Sequence, residues 1–130
     1  MTGWILAALA VFFVQTLLPS AARALSRRPE QIAFLRGNRD REPPHTVMSA
    51  RMARALRNMF EALPVFLALA LLAEIHGTTG GWVRIGAMVF VLARIAYVPA
   101  YGSGIAPLRS LVWAVGHVGL GMMIGGLLTA

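Results

Sequence analysis

Apolar residues dominate four stretches of the chain: Trp4 to Leu18, Arg54 to Ala73, Trp82 to Val98, and Leu108 to Leu128. A spanning helix needs about 20 residues, with some latitude for tilt. The pattern therefore predicts an all-α integral membrane protein, a bundle of four transmembrane helices. His76 to Gly81 and Gly102 to Pro107 read as tight turns, and short connections force antiparallel neighbours. The loop between spans three and four is placed at Tyr101 to Pro107. The one long connection lies between the first and second spans. There Pro19 and Arg27-Arg28-Pro29 interrupt the apolar pattern, and Gly37 to Pro44 is rich in turn formers. Gln31 to Arg36 is expected to form a short interfacial helix. The second long helix is expected to begin near Val47 and to kink at Pro64, one turn beyond Glu61.

The second stretch is unusual because it carries charge. Counting twenty residues back from Ala73 reaches Arg54, so Arg57, Asn58 and Glu61 fall at hydrocarbon depth or at its inner edge. A central charge costs roughly 2.5 to 3.5 kcal/mol on insertion scales, so such residues usually face a bundle interior or cavity. Positions 54, 57, 58 and 61 are three and four residues apart, which stacks them on one helix face.

Composition narrows the class. The chain is 58% hydrophobic and 13% charged, too apolar for an ordinary soluble domain of 130 residues. Four spans consume most of it, which implies one domain over residues 1–130. All twelve basic residues are arginine, and six (Arg23, Arg27, Arg28, Arg36, Arg39, Arg41) lie between the first two spans. Basic residues collect in short cytoplasmic loops, so the net charge of +7 reports topology and anionic headgroups rather than nucleic acid. That loop is expected in the cytoplasm and both termini on the opposite side, in the inner membrane if the source is bacterial. The first span carries its charge after the apolar core, unlike a secretory signal. With no cysteine, the chain offers neither disulfides nor a thiol nucleophile. His45, His76 and His117 show no metal-ligand spacing, and no metal site is expected.

Three polar sets lie toward the same membrane face: Arg54, Arg57, Asn58 and Glu61; Arg94, Tyr97 and Tyr101; and Arg109, Ser110 and Trp113. Their common depth is what a shared cavity would require. Arg57 and Glu61, one turn apart, could simply neutralise each other. Even so, Arg54, Arg94 and Arg109 would remain without an intramembrane carboxylate. Arg109 also sits in the first turn of its helix, where the dipole disfavours a cation. A bound anion or a lipid phosphate accounts for it better. Tyr97 and Tyr101 have an alternative role as interfacial belt aromatics. Gly121 and Gly125 form a small-xxx-small pair suited to close helix approach, within the chain or between subunits.

The runs Arg54-Ala55-Leu56-Arg57-Asn58-Met59-Phe60-Glu61-Ala62-Leu63-Pro64, Ala93-Arg94-Ile95-Ala96-Tyr97-Val98-Pro99-Ala100-Tyr101 and Pro107-Leu108-Arg109-Ser110 resemble the MAPEG superfamily, membrane-associated proteins of eicosanoid and glutathione metabolism, in its bacterial-type form. The resemblance implies a homotrimer that binds glutathione between subunits near the cytoplasmic side. Its members act as glutathione transferases, glutathione peroxidases or eicosanoid synthases, or serve as lipid-binding accessory proteins without catalysis. By motif match, Arg57, Asn58 and Glu61 would hold the peptide's charged ends, with Arg54, Arg94, Tyr97, Tyr101 and Trp113 around it. Arg109 would lie near the thiol with Ser110, and Arg23 resembles a further family arginine. Tyr97 stands where the prostaglandin synthases have His, and Trp113 where several eicosanoid synthases have Tyr. The implied function is a glutathione-dependent transferase or peroxidase acting on a hydrophobic small molecule or lipid, the alternative being a non-catalytic lipid-binding protein. Its implied partners are glutathione, the hydrophobic substrate, membrane lipids and further copies of itself, with no nucleic acid.

Overall fold

The computed structural model describes residues 1–129 and contains five helices. They are α1 (Thr2–Leu25), α2 (Pro29–Arg36), α3 (Val47–Ile75), α4 (Gly81–Ser103) and α5 (Ala106–Leu128). Four of them, α1, α3, α4 and α5, are long and apolar enough to cross a membrane. The expected short helix is present as α2 and starts two residues earlier, with Pro29 in its first turn, where a missing N–H costs nothing.

The helices outrun the apolar stretches, and three boundaries differ from expectation. Pro19 does not end α1: the helix continues through it to Leu25. Proline forfeits one helical hydrogen bond, but its fixed φ is itself helical, so a long packed helix tolerates it. Tyr101, expected in a loop, lies in the last turn of α4, which ends at Ser103 and is capped by Gly104 with φ 76°. That left-handed conformation suits glycine. The third boundary is the turn between α4 and α5, which shrinks to Gly104 and Ile105. The start of α3 at Val47 matches the expected position. Thr46 caps it, its hydroxyl oxygen accepting from the Ser49 N–H at 3.1 Å.

Contacts at the helix ends fix the topology. The Thr2 N–H and hydroxyl donate to Glu74 Oε1 at 2.7 and 2.8 Å, joining the start of α1 to the end of α3. The chain thus runs up and down, and the start of α1, the α3–α4 turn and the end of α5 share one end of the bundle. The long loop and the α4–α5 turn share the other. The most extensive interfaces are α4 with α5 and α1 with α3. Helices α3 and α4 also pack together, whereas α1 and α5 do not meet. A core of Met59, Leu63, Phe66, Ala87, Phe90, Leu120 and Met123 fills the centre. Phe66 and Phe90 stack with centroids 4.6 Å apart and planes within 8°.

Glycine sets the closeness of α4 and α5. A Cβ on Gly86 would lie 2.5 Å from the Gly119 carbonyl oxygen, and one on Gly119 would lie 2.8 Å from the Gly86 carbonyl oxygen. Gly121 and Gly125, the pair noted in the sequence, instead face open space. The outer surface presents Phe13, Leu17, Phe60, Leu71, Trp82, Leu111 and Val118, each more than half exposed. Together with four spanning helices, this apolar exterior makes the protein a multi-pass integral membrane protein.

Candidate functional site

Arg94 is the centre of the polar set. It is 1% exposed, the largest fully buried side chain of the protein. Its Nη1 donates to the Asn58 side-chain oxygen at 2.5 Å, while Nε and Nη2 have no hydrogen-bond partner. Its guanidinium lies over the rings of Phe90 and Tyr97, at 5.0 and 5.5 Å from the centroids. Gly116 of α5 closes the other side, where an added Cβ would sit 3.6 Å from Nη2. Burying a guanidinium of which two nitrogens find no partner among the described protein groups is costly.

A chain of contacts leads from Arg94 toward the loop end. Tyr97 meets Tyr101 edge-on at 5.5 Å. Tyr101 accepts from Arg54 Nε at 3.2 Å, and the guanidiniums of Arg54 and Arg109 lie 5.7 and 5.2 Å from its ring centroid. Cation–π contacts of this kind hold arginines near one another without a carboxylate. The result is a cavity of about 200 Å³ lined by Arg51, Arg54, Tyr101 and Arg109 beside the first turn of α5. Three guanidiniums and a helix N-terminus converge there, and no acid lines the cavity.

A second cavity of about 390 Å³ opens between α3 and α5. Asn58, Glu61, Trp113 and His117 form its polar end, and Val65, Leu120 and Ile124 continue it as an apolar groove. His117 packs on Trp113 with ring centroids 3.9 Å apart, and its Nδ1 lies 2.9 Å from the Trp113 carbonyl oxygen. As the donor in that bond, Nδ1 leaves Nε2 free as an acceptor.

The expected single cavity is therefore two within one chain. The buried Arg94 and Tyr97 link the two linings, Arg94 through its bond to Asn58 and Tyr97 through its packing on Tyr101. Arg57 and Ser110 line neither cavity and are exposed. Among the described residues, Arg57 and Glu61 form no ion pair with each other or with any other group, so mutual neutralisation does not account for them.

Arg23 belongs to a separate cluster. It is 3% exposed, donates to the Gln31 side chain and to Glu42 at 2.5 Å, and lies 3.0 Å from His45 Nδ1. Phe34 stacks against it at 4.9 Å, and Gln31 in turn donates to the Pro44 carbonyl at 2.8 Å. This network ties the long loop and α2 to the ends of α1 and α3. Sequence reading left out Arg51, which lines the arginine cavity and donates to the Gly102 carbonyl at 2.7 Å. Its position one turn before Arg54 was the available signal. Nothing in the sequence marked Gln31 or His45 as Arg23 partners, because their meeting depends on the loop's path.

These features define a class: four-span helical membrane proteins whose buried and interfacial arginines gather at one end of the bundle. A sequence model of the MAPEG family matches residues 1–129, and the protein belongs to that family. Membership places it generally among membrane proteins of glutathione-related transferase, peroxidase and eicosanoid type. No curated protein matches the chain.

Proposed function

We propose that the protein is a membrane-bound glutathione-dependent transferase or peroxidase acting on lipophilic electrophiles or hydroperoxides. In this reading it works as one membrane domain over residues 1–130 and assembles as a homotrimer. The observation that carries the proposal is the buried Arg94, with two idle nitrogens and with the unpaired Glu61 carboxylate on the cavity wall beside its partner Asn58. Glutathione has two carboxylates and one ammonium, so it calls for several cations and one acid. Arg54, Arg57 and Arg94 would hold carboxylates, Asn58 and Glu61 the ammonium end, and Tyr97, Tyr101 and Trp113 the peptide between them. Arg23 would act from the loop side of the site.

Glutathione supplies a thiol, which a chain without cysteine cannot provide itself. A free thiol has a pKa of about 8.5 and is mostly protonated at neutral pH. Arg109, assisted by the Ser110 hydroxyl, would favour the thiolate, each pKa unit corresponding to about 1.4 kcal/mol. The apolar groove past Trp113 suits a substrate arriving through the bilayer. A neighbouring subunit would cover Arg57, Glu61 and Ser110, whose exposure to lipid would otherwise be costly. The basic loop would face the cytoplasm and both termini the opposite side.

Calorimetric titration in mild detergent, with glutathione and its S-methyl analogue at two salt concentrations, tests the ligand. Saturable binding that weakens with salt is expected. Absence of a saturable signal from both ligands at millimolar concentration would refute the reading and leave the lipid-binding accessory role in its place.

A further inference from the structure

A further groove lies away from these residues, between the last turns of α1 and the first turns of α3. We propose that this groove, about 550 Å³, is a binding site for an anionic phospholipid, with the phosphate at Arg28 and the first turn of α3 and one acyl chain along α1. Its floor is apolar. Leu18, Ala21, Ala22 and Leu25 of α1 line it, and their spacing of three, one and three residues makes them a continuous stripe on one helix face. Met48 and Met52, one turn apart, form the opposite wall with unbranched, adaptable side chains. From Leu25 to Leu18 the stripe runs seven residues, roughly 10 Å at 1.5 Å per residue. That length fits within the hydrocarbon of one leaflet, about half of the roughly 30 Å core.

The mouth has the opposite character. Arg28, Ser26 and Thr46 lie there, at the level where α1 ends and α3 begins, and no acidic residue lines the groove. Thr46 caps the Ser49 N–H, which leaves the N–H groups of Val47 and Met48 at the N-terminus of α3 without a side-chain acceptor. A cation beside a helix N-terminus favours a phosphate. Charge at the interface above an apolar stripe therefore matches a phospholipid better than a free anion or a neutral hydrocarbon.

Helix geometry also separates this groove from the face that asks for a second protein copy. Nine residues separate Met48 from Arg57, and nine separate Met52 from Glu61. At 3.6 residues per turn this is two and a half turns, which puts the groove and the charged residues on opposite sides of α3. A subunit that covers Arg57 and Glu61 would therefore approach α3 from the side away from the groove. Because Ala22 is next to Arg23 and Thr46 next to His45, a lipid here would brace the loop network from the bilayer side.

Native mass spectrometry of the full chain, delipidated and then supplied with phosphatidylglycerol or phosphatidylcholine, reads the site directly. Retention of phosphatidylglycerol over phosphatidylcholine is expected. Arg28→Ala should reduce that preference about tenfold, the effect of losing one charge-assisted phosphate contact. Ala21→Trp, which fills the groove from a lipid-facing position, should abolish retention and leave helical circular dichroism unchanged. Equal retention of both lipids by the wild type, or undiminished retention by Ala21→Trp, would overturn the proposal. So would displacement of the lipid by millimolar inorganic phosphate, which would indicate a free-anion site. A change of oligomeric state in Ala21→Trp in place of lipid loss would overturn it in favour of a second copy. Glutathione titration of the same variants is expected to match wild type, so the fate of the lipid site and that of the glutathione site are read separately.

Discussion

The close approach of α4 and α5 gives the sharpest test of the packing. Alanine at Gly119 would put its Cβ 2.8 Å from both the Gly86 carbonyl oxygen and the Phe90 nitrogen. Both are backbone atoms of a helix that cannot rotate away as a side chain could, so the helices must separate. Overpacking of this kind costs about 1–3 kcal/mol, and the backbone obstacle argues for the upper end. Alanine also gains roughly 1 kcal/mol over glycine in helix propensity. The net expectation for Gly119→Ala is a loss of about 2 kcal/mol, roughly a thirtyfold shift in the unfolding equilibrium. At Gly125 nothing lies within 4 Å of an added Cβ. There only the propensity term acts, and the same substitution should be neutral or stabilising by up to about 1 kcal/mol. Titration from mild detergent into dodecyl sulfate, followed by far-ultraviolet circular dichroism, measures both. A Gly119→Ala protein as stable as wild type, or a Gly125→Ala protein destabilised as much as Gly119→Ala, would refute the assignment of the glycine seam.

Asn58→Leu removes the one hydrogen-bond partner that the buried Arg94 has among the described residues and should cost about 3 kcal/mol or more in the same unfolding titration. Glu61→Gln keeps the cavity's shape but removes its only carboxylate, so calorimetry should show glutathione affinity lowered at least severalfold. Arg109→Leu should raise the bound thiol's apparent pKa, read from the ultraviolet thiolate band, and cut turnover of chlorodinitrobenzene while leaving glutathione affinity within severalfold. An unchanged thiol pKa and rate would reduce Arg109 to a headgroup anchor. Native mass spectrometry in mild detergent should show three subunits, and a monomer with full ligand binding would contradict the intersubunit site.

The hydrophobic pattern by itself determined the class of this protein: all-helical, four spans, antiparallel turns and one long basic loop. Such legibility has a physical cause. In lipid every backbone polar group must be satisfied within its own helix, so length and apolarity nearly define the element. Periodicity also placed Arg94, Tyr97 and Tyr101 on one face, where they do touch in sequence. The helix ends were less legible, because Pro19 is read as a breaker while its helix is anchored by buried Gln15 before it and buried Ala22 and Arg23 after it. Tertiary structure alone decided how the polar residues pair. Sequence spacing suggested Arg57 with Glu61, yet the partner actually engaged is Asn58, reached from a different helix by Arg94. Gly121 and Gly125 carry the recognisable small-residue motif, yet Gly86 and Gly119 make the close approach. Spacing within one helix reports which residues share a face, but which neighbour that face meets is set by the rotation of each helix in the bundle, and no single helix encodes that rotation.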